Sequence, residues 1–311
     1  MLTKKSICLI IPAFNEEGLI TKTLQNTPRY VDLVICVDDA SHDKTLAQMK
    51  IFAKKDKRVL VLSNKINGGV GFSVKRGLTE ALKRKADYVV IAAGDNQCDL
   101  TKIKDFVTIC EEQNYDVCRG NRFLNRKEIR SMPTLRKIGN SLYSFLTKFV
   151  SGYYSLFDFQ SSFSAIRQEK LKELDLEALR DDYFFDNSLW INLNIVNARV
   201  KEIPVPVIYE DEVSDVNYFK FVIASLPFLL GSFLNRIYQK YILILHPVGI
   251  FLISGSVLFL FGLGFGIYIF LETRGPSTAS TATVMLSVIP FFIGFQLILN
   301  AIVFDMQNEP K

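Results

Sequence analysis

Residues 6–17 read SICLIIPAFNEE. The apolar run Ser6–Ile11 is short, stops at Pro12 and gives way at once to Asn15, Glu16 and Glu17. Such a run is typical of a parallel strand buried on both faces. Asn15 is expected to cap a helix with the two glutamates in its first turn, where the helix dipole favours anions. Leu19, Ile20, Thr23 and Leu24 would face inward. The alternation continues downstream. Strands are expected at Asp32–Val37, Arg58–Leu62 and Asp87–Ala92, and helices at Asp43–Ala53 and Val70–Arg84, the latter entered through Gly68 and Gly69. Strands alternating with helices predict an α/β fold with a parallel, doubly wound sheet.

Beyond Ala92 the pattern loosens. Leu100–Gln113, Leu135–Val150 and Asn187–Asn197 read as helices, and Asp116–Arg119 and Asp158–Ile166 as strands. Arg122–Pro133 reads as a polar, basic, mobile loop. Arg199–Tyr209 carries Pro204 and Pro206 and suits an edge strand. Tyr218–Tyr238, with Lys220 and Arg236 towards its ends, reads either as a helix along a membrane surface or as one docked on the preceding domain.

The rest of the chain is of another character. Apolar residues make up 49% of the 311 residues, and mean hydropathy is +0.19. The excess is concentrated in Tyr241–Leu271 and Gly275–Phe304, which contain no Asp, Glu, Lys or Arg. Each exceeds the roughly 20 apolar residues that a spanning helix needs; the alternative is a pair of buried core helices. The expected organisation is a cytosolic domain over 1–215, a juxtamembrane amphipathic region over 216–240 and a two-helix transmembrane hairpin with a short tail over 241–311. Ser6–Ile11 is too short for a signal peptide, and Lys220, Arg236 and Lys240 precede the first span, so both termini are expected in the cytosol. Five cysteines without a C-x-x-C pair, and only two histidines, argue against structural zinc. A net charge of +5 without a dense Lys/Arg cluster fits a surface near anionic lipid and not a nucleic-acid binder.

In open α/β sheets, ligands bind outside the carboxyl ends of the strands. Polar clusters follow all four strands: Asn15 and Glu16; Asp38, Asp39, Ser41, His42 and Asp43; Asn64, Asn67, Gly68 and Gly69; and Asp95, Asn96, Gln97 and Asp99. Helix capping explains any one of them. Four on one rim, rich in carboxylates, point to a site for a base, a ribose and a metal-bound diphosphate. The first strand is not followed by G-x-G-x-x-G and the chain has no G-K-[ST], which excludes dinucleotide and P-loop ATPase readings.

The runs Ile11–Glu17 (IPAFNEE), Val37–Thr45 (VDDASHDKT) and Asn67–Gly69 (NGG) resemble the family 2 glycosyltransferases of the GT-A fold. With the two C-terminal spans, the chain is similar to the dolichyl- and undecaprenyl-phosphate sugar synthases of that family. The resemblance implies a GT-A, Rossmann-like, mostly parallel sheet and inverting transfer from a UDP- or GDP-sugar to a polyprenyl phosphate, with Mg²⁺ or Mn²⁺. The implied partners are this donor, this acceptor and the bilayer, with no nucleic acid; homo-oligomerisation is left open. By the same resemblance Pro12, Ala13, Asn15 and Glu16 line the nucleotide. Asp39 holds base or ribose, and Asn67 and Gly69 shape the floor. Asp95 and Gln97 match the metal-binding end of a D-x-D motif. Arg122 matches an arginine that meets phosphate. Arg136 and Asn140 have family counterparts, and Asp158 and Gln160 match a D-x-Q strand near donor and acceptor. A basic stretch of Arg122, Arg126, Lys127 and Arg130 would draw in an anionic acceptor, unless it is simply a solvated charge run.

Three positions depart from the pattern. Ala93 stands where the first acid of D-x-D belongs, Ser188 where the family has a glutamate, and only Ser214 survives of an R-x-x-G-x-S motif. Asp182 and Asp186 are candidate substitutes for the missing glutamate; helix capping is their alternative role. The rival functions are transfer to another membrane lipid and a catalytically degenerate membrane scaffold.

Overall fold

The computed structural model describes residues 5–124, 134–159, 161–206, 218–274 and 278–311, and the side chains of all of these except 123, 134–142 and 218–223. Seven strands form one sheet in the order β3-β2-β1-β4-β6-β5-β7. They are β1 (Ile7–Ala13), β2 (Leu33–Asp38), β3 (Val59–Ser63), β4 (Tyr88–Ile91), β5 (Val117–Asn121), β6 (Ser164–Arg167) and β7 (Val200–Pro204). β6 runs antiparallel to β4 and β5, and every other pairing is parallel. At the centre, Ile10 of β1 pairs with Ile35 and Ile91.

All of β1 is buried because helices cover both faces. Cys8 and Ile10 pack with Val74, Leu78 and Ala81 of α3 (Val70–Arg84), and the same core holds Leu189 and Trp190 of α7 (Phe185–Ile195). Leu9 and Ile11 pack on the other side with Ile20 and Leu24 of α1 (Ile20–Gln25), Met49 of α2 (Thr45–Lys55) and Phe106 of α4 (Ile103–Glu112). Two covered faces remove the need for polar alternation, which is why the strand reads as one apolar run. The edge strand expected near Arg199 is β7, and its two prolines stand at and beyond its end.

Two expectations are corrected. Asn15 does not cap a helix: α1 starts at Ile20, and its N-cap, Leu19, makes no side-chain cap bond. Asn15 adopts φ +56°, and its Oδ1 accepts the His42 N–H at 2.9 Å. Thr45 Oγ1 accepts the Glu16 N–H, Asp43 Oδ2 the Glu17 N–H, and Glu17 Oε2 the Lys44 N–H. The loops after β1 and β2 therefore satisfy each other's backbone donors, which leaves the capping oxygens in use elsewhere. The strand expected over 158–166 is only Ser164–Arg167, so Asp158 stands on irregular backbone before it.

Also described are α5 (Thr134–Ser151) and α6 (Gln168–Lys172), and α8 (Tyr218–Ile237) follows β7. The chain divides into two compact units, Met1–Ser232 with Pro310–Lys311, and Phe233–Glu309. Within the second, α9 (Pro247–Glu272) and α10 (Thr281–Gln307) are long and apolar enough to cross a membrane. Over its most apolar stretch each helix is only 11% buried, unlike a helix packed within a core. They pack closely: a Cβ on Gly294 would stand 2.3 Å from the Phe259 nitrogen. Arg236 meets Asp305 through two bonds of 2.8 Å, and Tyr241 Oη donates to the same carboxylate.

Candidate active site

The carboxyl ends of β1, β2 and β4, together with the start of α3, open onto a cavity of about 1200 Å³. Pro12, Ala13, Phe14 and Glu16 form one wall, Asp39 and Asn67–Val70 another, and Ala93, Gly94 and Asp95 a third. The side facing them is the segment Glu177–Tyr183, with Ser73 and Lys75 of α3.

Asp39 organises the floor. Its buried carboxylate accepts the Asn64 side-chain N–H at 2.7 Å, the Gly68 N–H at 3.0 Å and the Gly69 N–H at 2.8 Å. Gly69 sits at φ +93°, a conformation that favours glycine, and a Cβ there would meet the Asp181 carbonyl at 2.6 Å. A Cβ on Gly71 would lie 2.2 Å from the Arg180 carbonyl. Absent side chains thus let the start of α3 lie against the backbone of the opposite wall. The Phe72 N–H donates to the Asp181 carbonyl, and Lys75 Nζ reaches the Leu179 carbonyl at 3.1 Å and Asp181 at 2.8 Å.

The lining is acidic. Glu16, Asp39, Asp95, Glu177, Asp181 and Asp182 face two cations, Lys75 and Arg180. Lys75 already pairs with Asp181, and Arg180 with Asp182. A diphosphate entering such a cavity requires further positive charge. Among the described residues no three His, Cys, Asp or Glu side chains form a metal-binding group. Asp95 lines the cavity with one oxygen accepting the Gln97 N–H at 3.0 Å; Gln97 does not line it. One hard carboxylate beside an acidic cavity fits a divalent ion held jointly with substrate phosphates, since Mg²⁺ commonly uses one or two carboxylates in that way.

A second polar cluster lies where β5 ends. Arg122 donates to Asp158 through Nε and Nη2, each at 2.8 Å, and through its backbone N–H at 3.2 Å. Burial alone would raise the Asp158 carboxyl. The bonds and charge of Arg122, with the charge of Arg119, outweigh this and hold it below the usual range. Arg119 is fully buried, with its guanidinium 4.2 Å from the Trp190 ring centre and 5.7 Å from that of Phe159. Its Nε lies 3.6 Å from Glu202, the residue opposite it in β7. Asp186, on the first turn of α7, is partly exposed as a residue, but its Oδ1 is enclosed and makes no hydrogen bond. The enclosure of that oxygen governs its acidity: burial pushes the carboxyl up to about 7, against the pull of Arg119 and Arg122.

A family model for glycosyl transferase family 2 matches residues 8–175. The chain is a member of glycosyl transferase family 2. It is 32% identical to the UDP-N-acetylglucosamine–dolichyl-phosphate N-acetylglucosaminyltransferase of Methanococcus voltae, over 68% of this chain and 88% of that protein. It is 23% identical to a dolichyl-phosphate beta-glucosyltransferase of Trichomonas vaginalis, over 64% of each. Among solved structures, glucosyl-3-phosphoglycerate synthase from Mycobacterium tuberculosis, in complex with Mn²⁺, UDP-glucose and glycerol 3-phosphate, superimposes with TM-score 0.52 at 16% identity. The match covers 75% of this chain and 80% of that one. This likeness places the sheet in the GT-A fold, with two apolar helices at the C-terminus.

In this glycosyltransferase, Pro12, Ala13, Glu16, Asp39, Asn67, Gly69 and Asp95 line one cavity. Asn15 does not line it and instead ties the β1 and β2 loops together. Arg122 and Asp158 bind each other outside the cavity lining. Gln160, Ser214 and the basic residues Arg126, Lys127 and Arg130 lie outside the described residues, as do the side chains of Arg136 and Asn140. Of the two substitute acids, Asp182 lines the cavity and also accepts the Phe184 N–H just before α7, whereas Asp186 joins the arginine cluster. Sequence reasoning missed Lys75 and the wall Glu177–Leu179. The buried Arg119 was also missed, although an arginine directly after Val117 and Cys118 in a short strand is a signal that could have found it.

Proposed function

We propose that this glycosyltransferase moves a sugar from a UDP- or GDP-sugar to a polyprenyl phosphate, dolichyl or undecaprenyl, at the cytosolic face of a membrane. The observation that carries this reading is the match to the archaeal dolichyl-phosphate N-acetylglucosaminyltransferase over nearly the whole of that protein. In the reaction, a phosphate oxygen of the acceptor attacks the anomeric carbon, and the bond from that carbon to the diphosphate breaks. The nucleoside diphosphate leaves with the bonding electrons, and the anomeric centre inverts. A phosphate-monoester acceptor is anionic near neutral pH, so no strong protein base is needed.

The residues divide the work. Pro12, Ala13, Glu16, Asp39, Asn67 and Gly69 would form the nucleotide seat, and Asp95, oriented by the Gln97 N–H, would hold Mg²⁺ or Mn²⁺ with the diphosphate. Such an ion supplies charge neutralisation for the leaving group. Arg122, oriented by Asp158, offers its outer edge to a substrate phosphate. In this reading residues 1–215 are the catalytic domain, 216–240 a helix along the bilayer surface and 241–311 a transmembrane hairpin that brings both termini to the cytosol. A membrane-resident hairpin in the same chain suits an acceptor that itself resides in lipid.

The test offers detergent-extracted full-length protein a panel of UDP- and GDP-sugars with a polyprenyl phosphate, and reads products by mass. A sugar-phosphate-polyprenol product is expected. Transfer only to a different lipid, or nucleotide binding with no transfer, would overturn the reading.

A further inference from the structure

Asp158 is a buried carboxylate, and stripping its cation away would leave an isolated charge in the interior, which proteins strongly disfavour. Its close partner is Arg122, which is about one-third exposed at 36%. If Arg122 is the arginine that meets a substrate phosphate, each binding event pulls on the ion pair that keeps Asp158 charged. A second cation nearby would relieve this competition.

Arg119 has the properties required. It is fully buried, yet none of its three side-chain nitrogens has a hydrogen-bond partner. Stacking on Trp190 fixes the plane of its guanidinium without engaging a donor. Its nearest carboxylate, Glu202, stands off at 3.6 Å and is already engaged by the Asn121 side chain at 2.6 Å and the Phe157 N–H at 3.2 Å. A charged fork buried with all its donors unused is a costly arrangement for packing alone, because unsatisfied buried donors are rare in folded proteins. The Arg119 guanidinium lies 5.7 Å from the ring centre of Phe159, the residue next to Asp158, so its charge stands near that carboxylate and favours its ionised form. β5 sets the geometry: Arg119 lies within the strand, and Arg122 starts the turn that follows it.

We propose that Arg119 is a positioning residue that acts on Arg122 through Asp158, holding the Asp158 charge as Arg122 engages an anionic phosphate. The inference rests on the reading of Arg122 as the phosphate-facing arginine. Arg119 itself touches no substrate. Its effect is to keep Asp158 ionised as an anchor for Arg122 while lowering the penalty when that arginine shifts outward.

The experiment uses the full chain in detergent and titrates UDP with Mg²⁺ by calorimetry, with GDP as the second probe. It compares wild type with Arg119→Met, Arg119→Lys, Arg122→Met and the Arg119→Met/Arg122→Met double variant, and records a thermal midpoint for each. Arg119→Met should bind UDP about tenfold more weakly, a typical coupling for groups in one charge network. Its thermal midpoint should fall, because removing one member of a buried charge cluster leaves carboxylates uncompensated, so lysine rescue and the double variant separate coupling from mere loss of stability. Arg119→Lys should recover binding to within about threefold of wild type, since it restores the charge without the fork. The double variant should bind no more weakly than Arg122→Met alone. Wild-type affinity in Arg119→Met, additive losses in the double variant, or loss of binding that only tracks a falling midpoint without rescue by lysine would each overturn the inference. A wild type that binds UDP but transfers nothing to polyprenyl phosphate sinks the function proposed above and leaves this cycle readable. A wild type that binds neither nucleotide sinks both.

Discussion

The cavity at the carboxyl ends of β1, β2 and β4 and the arginine cluster are built by opposite means. Around the cavity, a carboxylate holds backbone: Asp39 gathers the N–H groups of Gly68 and Gly69, and the loops after β1 and β2 exchange bonds through Asn15, Glu17, Asp43 and Thr45. In the cluster, side chains hold side chains: Arg122 grips Asp158, and Arg119 lies between aromatic rings with Glu202 and Asp186 nearby. The first design sets shape, and the second sets charge. Damage to one should therefore appear as lost folding stability, and damage to the other as altered response to pH and to anions.

The largest expected effect lies where the two meet in function. Asp95→Ala should lower turnover roughly a thousand-fold, because metal stabilisation of the leaving group is worth several kcal/mol. Activity across a Mg²⁺ and Mn²⁺ series, with and without chelator, checks this. Full activity in chelator would assign neutralisation of the diphosphate to the arginine cluster instead. Asp39→Ala should cost roughly 2–5 kcal/mol of stability in denaturant titration and also weaken nucleotide binding, because it strands the Gly68 N–H and one Asn64 side-chain N–H in a buried site, while the Gly69 N–H keeps Asn67 Oδ1. Loss of binding at full stability would break the contrast between shape and charge.

Asp186→Asn probes the cluster. The folded-state pKa of about 7 lies above the ordinary aspartate value, so the folded protein binds more protons than the unfolded chain between about pH 4 and pH 7. Stability from this group is complete below pH 4 and declines as pH rises through 7. Asparagine removes the decline, and the variant should gain on the order of 2–4 kcal/mol over wild type at pH 8 relative to pH 4. Thermal midpoints across that range measure it, and parallel curves would show that the carboxyl is not held neutral. Gly71→Ala should cost about 1–3 kcal/mol by driving the Arg180 carbonyl away, with nucleotide affinity falling alongside. Unchanged affinity would detach that wall from the proposed nucleotide seat. The smallest effect is a gain: Ala93→Asp should strengthen metal binding without donor by roughly tenfold, as ligand charge is added.

The same contrast explains what could be read from the sequence. β1–β4 and their rim residues were legible because strand, turn and cavity-lining residue are neighbours in the chain, and local motifs such as IPAFNEE carry all three. The Asp39 contacts were half legible: its place on the rim followed from the strand, but its bonds to Gly68 and Gly69 span a turn, a helix and a strand. The arginine cluster was mostly illegible. Arg119, Asp158, Asp186 and Glu202 meet only because β6 inserts antiparallel between β4 and β5 while β7 closes the edge. No local periodicity encodes that insertion. Asn15 misled for a related reason: its helix-capping chemistry is real, but a loop distant in sequence competes for the same oxygen.

The Arg236–Asp305 pair has a consequence for how the chain is made. Asp305 lies near the end of an apolar helix, and a lone carboxylate in such a segment resists entry into lipid. Arg236 and Tyr241 leave the ribosome earlier, 69 and 64 residues ahead of it. The cation and hydroxyl that neutralise the last helix are thus already synthesised when that helix emerges. Reversing the pair as Arg236→Asp with Asp305→Arg would keep the contact but change which charge emerges first, and the yield of inserted protein would report whether order of synthesis matters.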